Sequence, residues 1–441
     1  MRNDVIIIGG GFAGVAAACR LAGDGLRPLL LERAPCLGGR AASVVPKEPS
    51  EVIDIGQHVL MRCCSASTGF LARIGASDAI RFQPSLSIPI VSRTERAALR
   101  SAPLPGPLHL APTLLRYRFL PLRDRIRAMQ AGVAIALGGA RSDVPFARWL
   151  EGRGQSDRAI AALWDPICVA ALNAHATDVG ARAAHQLVRD AFLRPGGADI
   201  GLFTAPLCEV FAAARRYLET RGGSVRVRAG ATRLLVEDRG VSGVQLQTGE
   251  LLRADSIVCA VPPWELARLA EDTPALRPLI DAASRLHWAP IVNLHAWFDR
   301  PVLDGEFAVA VDSPVQAAFD ITQSHGGASG RGVTHIVVSQ SAADDWIDRP
   351  FDEVSRSLVD ALADLFPRVR QAACLRTLVV RHRRATFVPK AGTDRLRPSA
   401  VTPIDGLFLA GDWTLTGWPS TIEGAIRSGI AAAAHAGIVF G

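Results

Sequence analysis

The sequence predicts an α/β protein whose first domain is built on a parallel sheet, and three observations near the N-terminus support this. Residues 5–8 are four apolar β-branched residues, a run typical of a strand buried on both faces. A glycine-rich turn follows and leads into an alanine-rich segment, which we expect to form a helix over residues 12–22. A second apolar run at residues 28–31 completes a strand–helix–strand unit, the repeating unit of parallel sheets.

The turn after the first strand has the glycine spacing of a dinucleotide-binding site. Gly9, Gly11 and Gly14 fit the pattern G-x-G-x-x-G. The first glycine permits a tight turn, the second lets a pyrophosphate approach the backbone, and the third lets the helix pack closely on the strand. Phe12 and Ala13 open the helix, so their N–H groups are expected to point toward the phosphates.

The end of the second strand supplies the other half of a Rossmann-like site. Glu32 lies 18 residues after Gly14, close to the spacing at which a carboxylate binds ribose hydroxyls, and Arg33 stands beside it. Gly39 and Arg40 follow directly. The glycine allows close approach of the backbone, and the guanidinium can balance pyrophosphate charge.

A second motif near the C-terminus favours FAD over NAD. An apolar strand over residues 407–410 ends at Gly411 and Asp412, whose carboxylate can bind ribityl hydroxyls. Thr421 and Ile422 then open another helix, which can direct its positive end at the N1–C2 edge of a flavin. We expect the FAD to be bound non-covalently, because no cysteine follows Cys374.

Through these motifs the sequence resembles the FAD-dependent amine oxidases and phytoene-type desaturases. Within that superfamily it is most similar to the squalene-associated FAD-dependent desaturases, the hydroxysqualene dehydroxylases. The resemblance covers nearly the whole chain. Its most specific runs are Asp54-Ile55-Gly56-Gln57-His58-Val59-Leu60, Leu163-Trp164-Asp165-Pro166, Ala170-Ala171-Leu172-Asn173 and Ala410-Gly411-Asp412-Trp413-Thr414.

The resemblance implies further contacts with the cofactor. Gly56, Gln57 and His58 belong to the region that reaches the flavin in this superfamily. The backbone at Thr232 lies where the superfamily contacts the adenine end. The expected fold is accordingly a Rossmann-like FAD-binding domain of the amine oxidase and phytoene desaturase type, joined to a discontinuous α+β substrate domain.

The resemblance also implies a reaction: reduced FAD removes an allylic hydroxyl from hydroxysqualene and yields squalene and water. The expected partners are a C30 isoprenoid substrate and an electron donor. The reaction needs an acid or hydrogen-bond donor for the departing hydroxyl. The candidates are His58, Asn173, which could orient the hydroxyl, and Asp165. A structural histidine is the alternative for His58, and helix capping is the alternative for Asp165, which precedes Pro166.

Amine oxidation is disfavoured by one position. Amine oxidases of this superfamily carry a lysine near flavin N5, and the matching strand here places Asn293 there; lysine occurs only at positions 47 and 390. Two alternatives to the dehydroxylase remain open. One is a carotenoid-type desaturase, in which the hydride moves from substrate to oxidised FAD. The other is a non-catalytic carrier of isoprenoid lipids on the same fold.

The chain of 441 residues is long enough for two discontinuous domains. We assign residues 1–85, 205–285 and 390–441 to the FAD-binding domain. Residues 86–204, mostly helical, and residues 286–389, with strands near 291–298 and 335–339, form the substrate domain.

Composition sets the remaining expectations. Residues 103–139 mix leucine, aromatic residues and arginine, so this segment is a candidate for contact with a membrane interface. The net charge of +7 suits an anionic membrane, whereas no motif for nucleic acid or for a metal site is evident. The chain begins almost directly with the first strand, so we expect no cleaved signal peptide and a cytoplasmic location, with peripheral contact at the inner face of the membrane.

Overall fold

The computed structural model describes residues 4–46, 51–138, 143–238, 240–326 and 332–439. Its strands are, in chain order, β1 (Val5–Ile8), β2 (Pro28–Leu31), β3 (Ser43–Val44), β4 (Ile53–Asp54), β5 (Val59–Met61), β6 (Ile80–Phe82), β7 (Ser87–Val91), β8 (Arg96–Arg100), β9 (Ile200–Phe203), β10 (Ser224–Arg226), β11 (Ala231–Glu237), β12 (Gly240–Leu246), β13 (Leu251–Arg253), β14 (Ile257–Cys259), β15 (Trp288–Phe298), β16 (Phe307–Ala310), β17 (Ala317–Asp320), β18 (Thr334–Gln340), β19 (Cys374–Phe387) and β20 (Leu407–Leu409).

Helices connect these strands. They are α1 (Phe12–Gly23), α2 (Ser65–Arg73), α3 (Ala111–Leu115), α4 (Leu122–Gly138), α5 (Phe146–Glu151), α6 (Asp157–Ala159), α7 (Asp165–Leu172), α8 (Ala181–Leu187), α9 (Leu207–Glu219), α10 (Pro263–Leu269), α11 (Arg277–Ser284), α12 (Ile321–Ser324), α13 (Phe351–Leu365) and α14 (Ile422–Ile438).

The predicted parallel sheet is present and has five strands in the order β10-β2-β1-β14-β20. Every pair of neighbours is parallel, with Ile7 opposite Leu30 on one side and Val258 on the other. Parallel strands end at the same edge of a sheet, so the turn after β1 and the turn after β20 lie at one edge. The two motifs that are about 400 residues apart in sequence are therefore brought to the same place.

Two helices, α1 and α14, cover one face of this sheet and pack directly on each other. A Cβ built on Gly429 of α14 would stand 2.1 Å from the carbonyl oxygen of Ala13 in α1, so the two backbones touch. The opposite face is covered by β11, β12 and β13, an antiparallel sheet, and by α10 and α11. The sheet is thus buried on both faces, which explains its unbroken apolar strands.

A second sheet of seven strands has the order β19-β15-β18-β17-β16-β7-β8. On β15, Val292, Leu294, Ala296 and Phe298 belong to one apolar cluster with α13, and the alternate residues face the opposite way. The strands expected near residues 291–298 and 335–339 are confirmed as β15 and β18. Residues 86–204 are mostly helical as expected, but β7 and β8 at their start belong to this sheet, because they extend its edge.

The candidate FAD and substrate site

The turn after β1 is shaped for a bound phosphate group. A Cβ on Gly14 would stand 1.9 Å from the Gly9 carbonyl oxygen, and Gly9 itself has a φ of +111°, so both positions require glycine. A Cβ on Gly11, in contrast, would meet nothing closer than the Gly38 carbonyl oxygen at 3.9 Å, so this position is less crowded. The first turn of α1 carries no acidic residue and no side-chain cap, so its N–H groups are free to bind an anion. The side chain of Phe12 packs in the core, and its backbone opens α1.

The carboxylate of Glu32 lies beside the glycine-rich turn that follows β1. It accepts hydrogen bonds from the N–H groups of Gly10 and Ala34, each at 2.7 Å, and the residue is 8 % exposed. A carboxylate has about four acceptor positions, so Glu32 can fix the turn and still accept ribose hydroxyls. Arg33 points elsewhere, because its exposed guanidinium pairs with Glu265 at 2.7 Å. The side chain of Arg33 is therefore an exposed surface group in the structure, and its contact with the cofactor stays a prediction.

Thr232 sits at a β-bulge of the sheet that covers β1. The register between β11 and β12 shifts between Ala231 and Arg233, so Thr232 has no residue opposite it. Its hydroxyl donates to the carbonyl oxygen of Gln245 at 3.1 Å. Bulges of this kind commonly occur next to binding sites.

The loop after β2 runs beside the glycine turn. Gly38 forms a bridge with Gly11, and a Cβ on Gly39 would stand 3.3 Å from the Gly11 Cα atom. Arg40 donates to the carbonyl oxygen of Ala385 at 2.8 Å and pairs with Asp412. Arg40 therefore joins the N-terminal and C-terminal parts of the site.

The C-terminal loop is built around Asp412, which is 4 % exposed. Its carboxylate accepts hydrogen bonds from Arg40 and from the hydroxyl of Ser420. The N–H of Gly411 donates to the Ser428 hydroxyl at 2.8 Å. A Cβ on Gly411 would stand 2.5 Å from the indole nitrogen of Trp413, so the turn depends on this glycine.

Arg397 binds the backbone of the same loop, and it was not predicted from the sequence. Its buried guanidinium donates to the carbonyl oxygens of Asp412, Thr414 and Trp418, and it pairs with Asp394. Burial lowers the pKa of Arg397 from its usual value. Its partners are backbone atoms contributed by the folded loop, so no motif in the sequence could have singled it out.

The helix after this loop begins as expected. The Thr421 side chain caps α14 by accepting from the N–H of Gly424 at 3.1 Å, and Ile422 is the first helical residue. Glu423, which is fully buried, accepts from the N–H groups of Ala66 and Ser67 at 3.0 and 2.7 Å. The carboxylate therefore caps the N-terminus of α2 and connects α2 to α14, the helix that follows the Asp412 loop.

The Gly56–His58 segment lies against β15 at Asn293, the position where amine oxidases of this superfamily carry a lysine. Asn293 donates to the carbonyl oxygen of Ile55 at 3.2 Å, and its amide nitrogen stands 2.6 Å from where a Cβ of Gly56 would be. The amide of Gln57 donates to the His58 carbonyl oxygen at 3.3 Å. Within the described part of the chain, Asn293 Oδ1 and His58 Nε2 are buried without a hydrogen-bond partner. Such atoms indicate a place for a polar ligand or water.

The imidazole of His58 is neutral near pH 7. Burial lowers its pKa to about 4, with the nearby charge of His382 adding to the effect. Burial and the charge of Arg40 also lower the pKa of His382. A proton supplied by His58 would therefore come from a neutral ring. His382 was not found in the sequence analysis, because only the pairing of β15 with β19 places it here.

The side-chain amide of Asn173 forms hydrogen bonds with other groups of the protein. Its amide nitrogen donates to the Thr386 hydroxyl at 2.8 Å and the Ala289 carbonyl oxygen at 3.3 Å, and its oxygen accepts from the N–H of Ala342 at 2.6 Å. The residue also ends α7 in a left-handed conformation with φ of +52°. These contacts connect α7, one of the helices within residues 86–204 (the helical region), to the seven-stranded sheet. The structure therefore gives Asn173 a structural role in place of hydroxyl orientation.

Asp165 likewise has protein partners. One oxygen accepts from the N–H of Ala176 at 2.7 Å and the other pairs with Nδ1 of His175 at 2.8 Å. The hydrogen bond from Asp165 raises the pKa of His175. These contacts hold the loop that follows α7 and favour the structural alternative for Asp165 over catalysis.

Comparisons with known proteins agree with this geometry. A family model described as flavin containing amine oxidoreductase matches residues 12–436.

The chain belongs to this family.

It is therefore an FAD-dependent oxidoreductase with the mixed α/β architecture of the flavin-containing amine oxidoreductases. Gly11, Gly39, the uncapped start of α1 and Asp412 fit the pyrophosphate and ribityl parts of the cofactor.

Curated relatives and solved structures extend the comparison. The chain is 27 % identical over 435 residues to a hydroxysqualene dehydroxylase of Zymomonas mobilis, covering 97 % of both chains, and 28 % identical over 446 residues to one of Sinorhizobium fredii, covering 98 % of both. It is 24 % identical over 450 residues to a 15-cis-phytoene desaturase of Glycine max, covering 97 % of this chain and 78 % of the relative.

The fold is shared with an oxidoreductase from Methanosarcina mazei (TM-score 0.77, 15 % identity, 97 % and 99 % of the two chains). It is also shared with a putrescine oxidase (TM-score 0.74, 17 % identity, all of both chains).

Proposed function

We propose that this flavoenzyme reductively removes the hydroxyl of hydroxysqualene to give squalene. The observation that carries the proposal is the full-length similarity to two hydroxysqualene dehydroxylases, which covers both partners almost completely. The phytoene desaturase relatives are longer, so the chain spans 76–78 % of their length. Asn293 in place of a lysine further supports a reaction other than amine oxidation.

Reduced FAD, when bound, supplies a hydride. The residues of this chain have three tasks: holding the cofactor, enclosing an apolar substrate and hydrogen-bonding the departing hydroxyl. Arg40 and Asp412 serve the first task. His58 serves the third from the Gly56–His58 segment, where its buried Nε2 has no partner in the described structure. An electron donor must return the cofactor to its reduced form after each turnover.

An apolar cavity in the helical region suits part of a long hydrocarbon chain. It has a volume of about 80 Å³ and is lined only by apolar residues and glycine, among them Trp164, Ile167 and Phe192. An adjoining surface groove of about 350 Å³ shares Leu108 and Ala111 with the cavity. Groove and cavity together form an apolar path from the surface into the helical region.

The surface around this groove supports contact with a membrane. On α4, Leu122, Ile126, Val133 and Leu137 are between 42 and 83 % exposed. At about 100° per residue these four lie within an arc of about 60°. The buried residues of α4, such as Ala128 and Ile135, lie on the opposite side of the helix. The helix therefore has a second apolar face, which the described parts of the chain leave uncovered.

The charge nearby favours an anionic bilayer as the partner. Arg116, Arg118 and Arg123 lie close in sequence to the exposed leucines, and Asp124, the acidic residue of this helix, is buried against Ser156 at 2.6 Å. Within the described ranges, no helix has the length and hydropathy to cross a bilayer. The proposed attachment is consequently peripheral, with the groove facing the lipid.

Vesicle flotation tests the attachment. The protein is expected to float with phosphatidylglycerol vesicles and to bind phosphatidylcholine vesicles less. The double variant Ile126→Asp/Leu137→Asp is expected to stay in the soluble fraction. Leu251→Asp, at a side chain that is 52 % exposed on β13, is the matched control and is expected to float. Flotation of the double variant at the wild-type level would contradict the assigned surface.

Anaerobic turnover tests the reaction. The purified protein is photoreduced without oxygen, hydroxysqualene is added, and squalene is measured by mass spectrometry while flavin reoxidation is followed. Squalene formation together with reoxidation supports the proposal. Reoxidation without squalene, or neither signal with flavin bound, contradicts it. Turnover of polyene hydrocarbons by the oxidised enzyme would then favour a desaturase.

A variant tests the role of His58. His58→Ala is expected to keep its FAD and to form squalene at least about tenfold more slowly, because the departing hydroxyl loses a hydrogen bond. Wild-type turnover by this variant would remove His58 from the reaction.

A further inference from the structure

Among the described residues, three buried polar atoms without partners belong to β15 and to the Gly56–His58 segment that lies against it. Two of them, His58 Nε2 and Asn293 Oδ1, are described above. The third is Nε2 of His295, a residue that is 1 % exposed. Asn293 and His295 are alternate residues of β15, so their side chains leave the same face of the sheet about 7 Å apart.

His295 is one of a pair of buried histidines. Its Nδ1 lies 3.0 Å from Nε2 of His335, a residue on the neighbouring strand β18. The His335 ring stacks on Trp297 with centroids 4.3 Å apart and planes 10° from parallel. Trp297 in turn donates to Glu51 at 2.6 Å, and the Arg376 guanidinium lies over the indole, 4.1 Å from the ring centroid. The indole and its partners therefore fix the His335 ring, and the hydrogen bond fixes the His295 ring.

The protonation of this pair decides which ring atoms can donate a hydrogen bond. Burial lowers the pKa of His295 to about 4 and holds the pKa of His335 well below its usual value, so both rings are neutral near pH 7. A neutral imidazole carries one N–H. The 3.0 Å contact allows two tautomer arrangements, and in the one adopted for the proposal below His335 Nε2–H donates to His295 Nδ1, so that the single proton of His295 resides on Nε2. The atom without a partner is then a hydrogen-bond donor in an enclosed position.

We propose that His295 Nε2 is a second hydrogen-bond donor to the hydroxyl oxygen of the allylic alcohol, in addition to His58, and that His335 is the positioning residue that keeps the proton on His295 Nε2. This rests on the proposed function and extends it by naming a second group that recognises the hydroxyl. An otherwise hydrocarbon substrate has one polar group to recognise, and a buried imidazole N–H supplies the complementary donor.

The same pair provides a balanced path for the proton that the reaction consumes. The C–O bond breaks as the hydride arrives at carbon, and the leaving oxygen takes the proton from His295 Nε2 to form water. His295 Nδ1 takes the proton of His335 Nε2, and His335 Nδ1 takes one from solvent. Each ring ends as the other neutral tautomer, so neither carries a charge before or after the step.

Binding to the oxidised enzyme tests the assignment apart from turnover, because oxidised FAD holds no hydride to donate. Affinities for hydroxysqualene and for squalene are measured by ultrafiltration and mass spectrometry. The wild type is expected to bind the alcohol about tenfold more tightly, which corresponds to one hydrogen bond. His295→Leu is expected to lose most of this preference, and His295→Gln to recover part of it. An undiminished preference in His295→Leu, or no preference in the wild type, overturns the proposal.

A matched control and a second variant separate recognition from packing. His185→Leu removes another buried histidine, 3 % exposed and located in the helical region, and is expected to keep the wild-type preference. His335→Gln is expected to keep most of the preference while squalene formation falls by at least about tenfold, because the proton path is broken. Wild-type turnover by His335→Gln overturns the role of His335. A wild type that prefers the alcohol yet forms no squalene refutes the proposed function and leaves the recognition by His295 standing.

Discussion

Gly429 and Ala13 touch backbone to backbone, since a Cβ on Gly429 would stand 2.1 Å from the Ala13 carbonyl oxygen. Ala13 lies in the first turn of α1, directly after the glycine-rich turn, and Gly429 lies in α14, the helix that follows the Asp412 loop. The close contact therefore sets the spacing between the two halves of the candidate FAD site.

Gly429→Ala should consequently lower both the stability of the protein and its affinity for FAD. We expect a loss of about 3 kcal/mol in the free energy of unfolding, from overpacking at a rigid contact. Gly437→Ala is the matched control, because it lies on the same helix with nothing within 4 Å of the added Cβ and should be neutral or slightly stabilising. Thermal unfolding and flavin content measure both. Equal behaviour of the two variants would contradict the packing argument.

Asp412→Ala should purify with little or no FAD. Removing this carboxylate deprives the ribityl chain of its expected partner, breaks the ion pair with Arg40 and removes the acceptor of the Ser420 hydroxyl. Ser420→Ala removes one of these hydrogen bonds and should retain most of its flavin. The ratio of flavin to protein absorbance measures the effect, and stoichiometric FAD in Asp412→Ala would count against the assigned site.

Asn173 variants distinguish structure from catalysis. Asn173→Gly keeps the left-handed conformation and removes three hydrogen bonds, so we expect a loss of about 2–4 kcal/mol in stability. Asn173→Ala adds backbone strain and should lose about 1 kcal/mol more. Turnover per FAD-loaded molecule should stay within about threefold of the wild type, because the amide is bonded to the protein. An unchanged stability with a raised KM would instead indicate contact with the substrate.

The Asp165–His175 pair should make stability depend on pH. The folded-state pKa of His175 is raised, chiefly by its hydrogen bond with Asp165, so the pair stabilises the protein below the ordinary histidine pKa and loses this effect as pH rises through the raised value. Asp165→Asn should therefore cost more stability at about pH 6 than at about pH 8.5, by less than about 1 kcal/mol because the pair is partly exposed.

The variant Asp165→Asn can still accept from the Ala176 N–H, which isolates the ionic contribution. His175→Gln is the companion variant, and in its background the pH dependence of Asp165→Asn should disappear. Thermal unfolding across this range measures both. A cost that is constant with pH would show that the charge on His175 contributes nothing.

The FAD-binding elements could be predicted because their information is local. The spacing of Gly9, Gly11 and Gly14, the position of Glu32 and the Gly411-Asp412 turn each follow a strand end directly. Such motifs encode backbone conformation and close approach, which depend on the residue type at that position. The strands over residues 5–8 and 28–31 were likewise visible as apolar runs.

The sequence by itself thus determined the parallel sheet, the cofactor and the family resemblance. Only the tertiary structure decided the partners of the polar side chains. Asn173 and Asp165 looked like site residues until their hydrogen bonds to distant backbone were known, and His295 with His335 became a pair only through the register of β15 with β18. The physical reason is that a side chain's partners across a sheet or between helices depend on which strands pair and in what register, and a single position in the sequence carries no record of either.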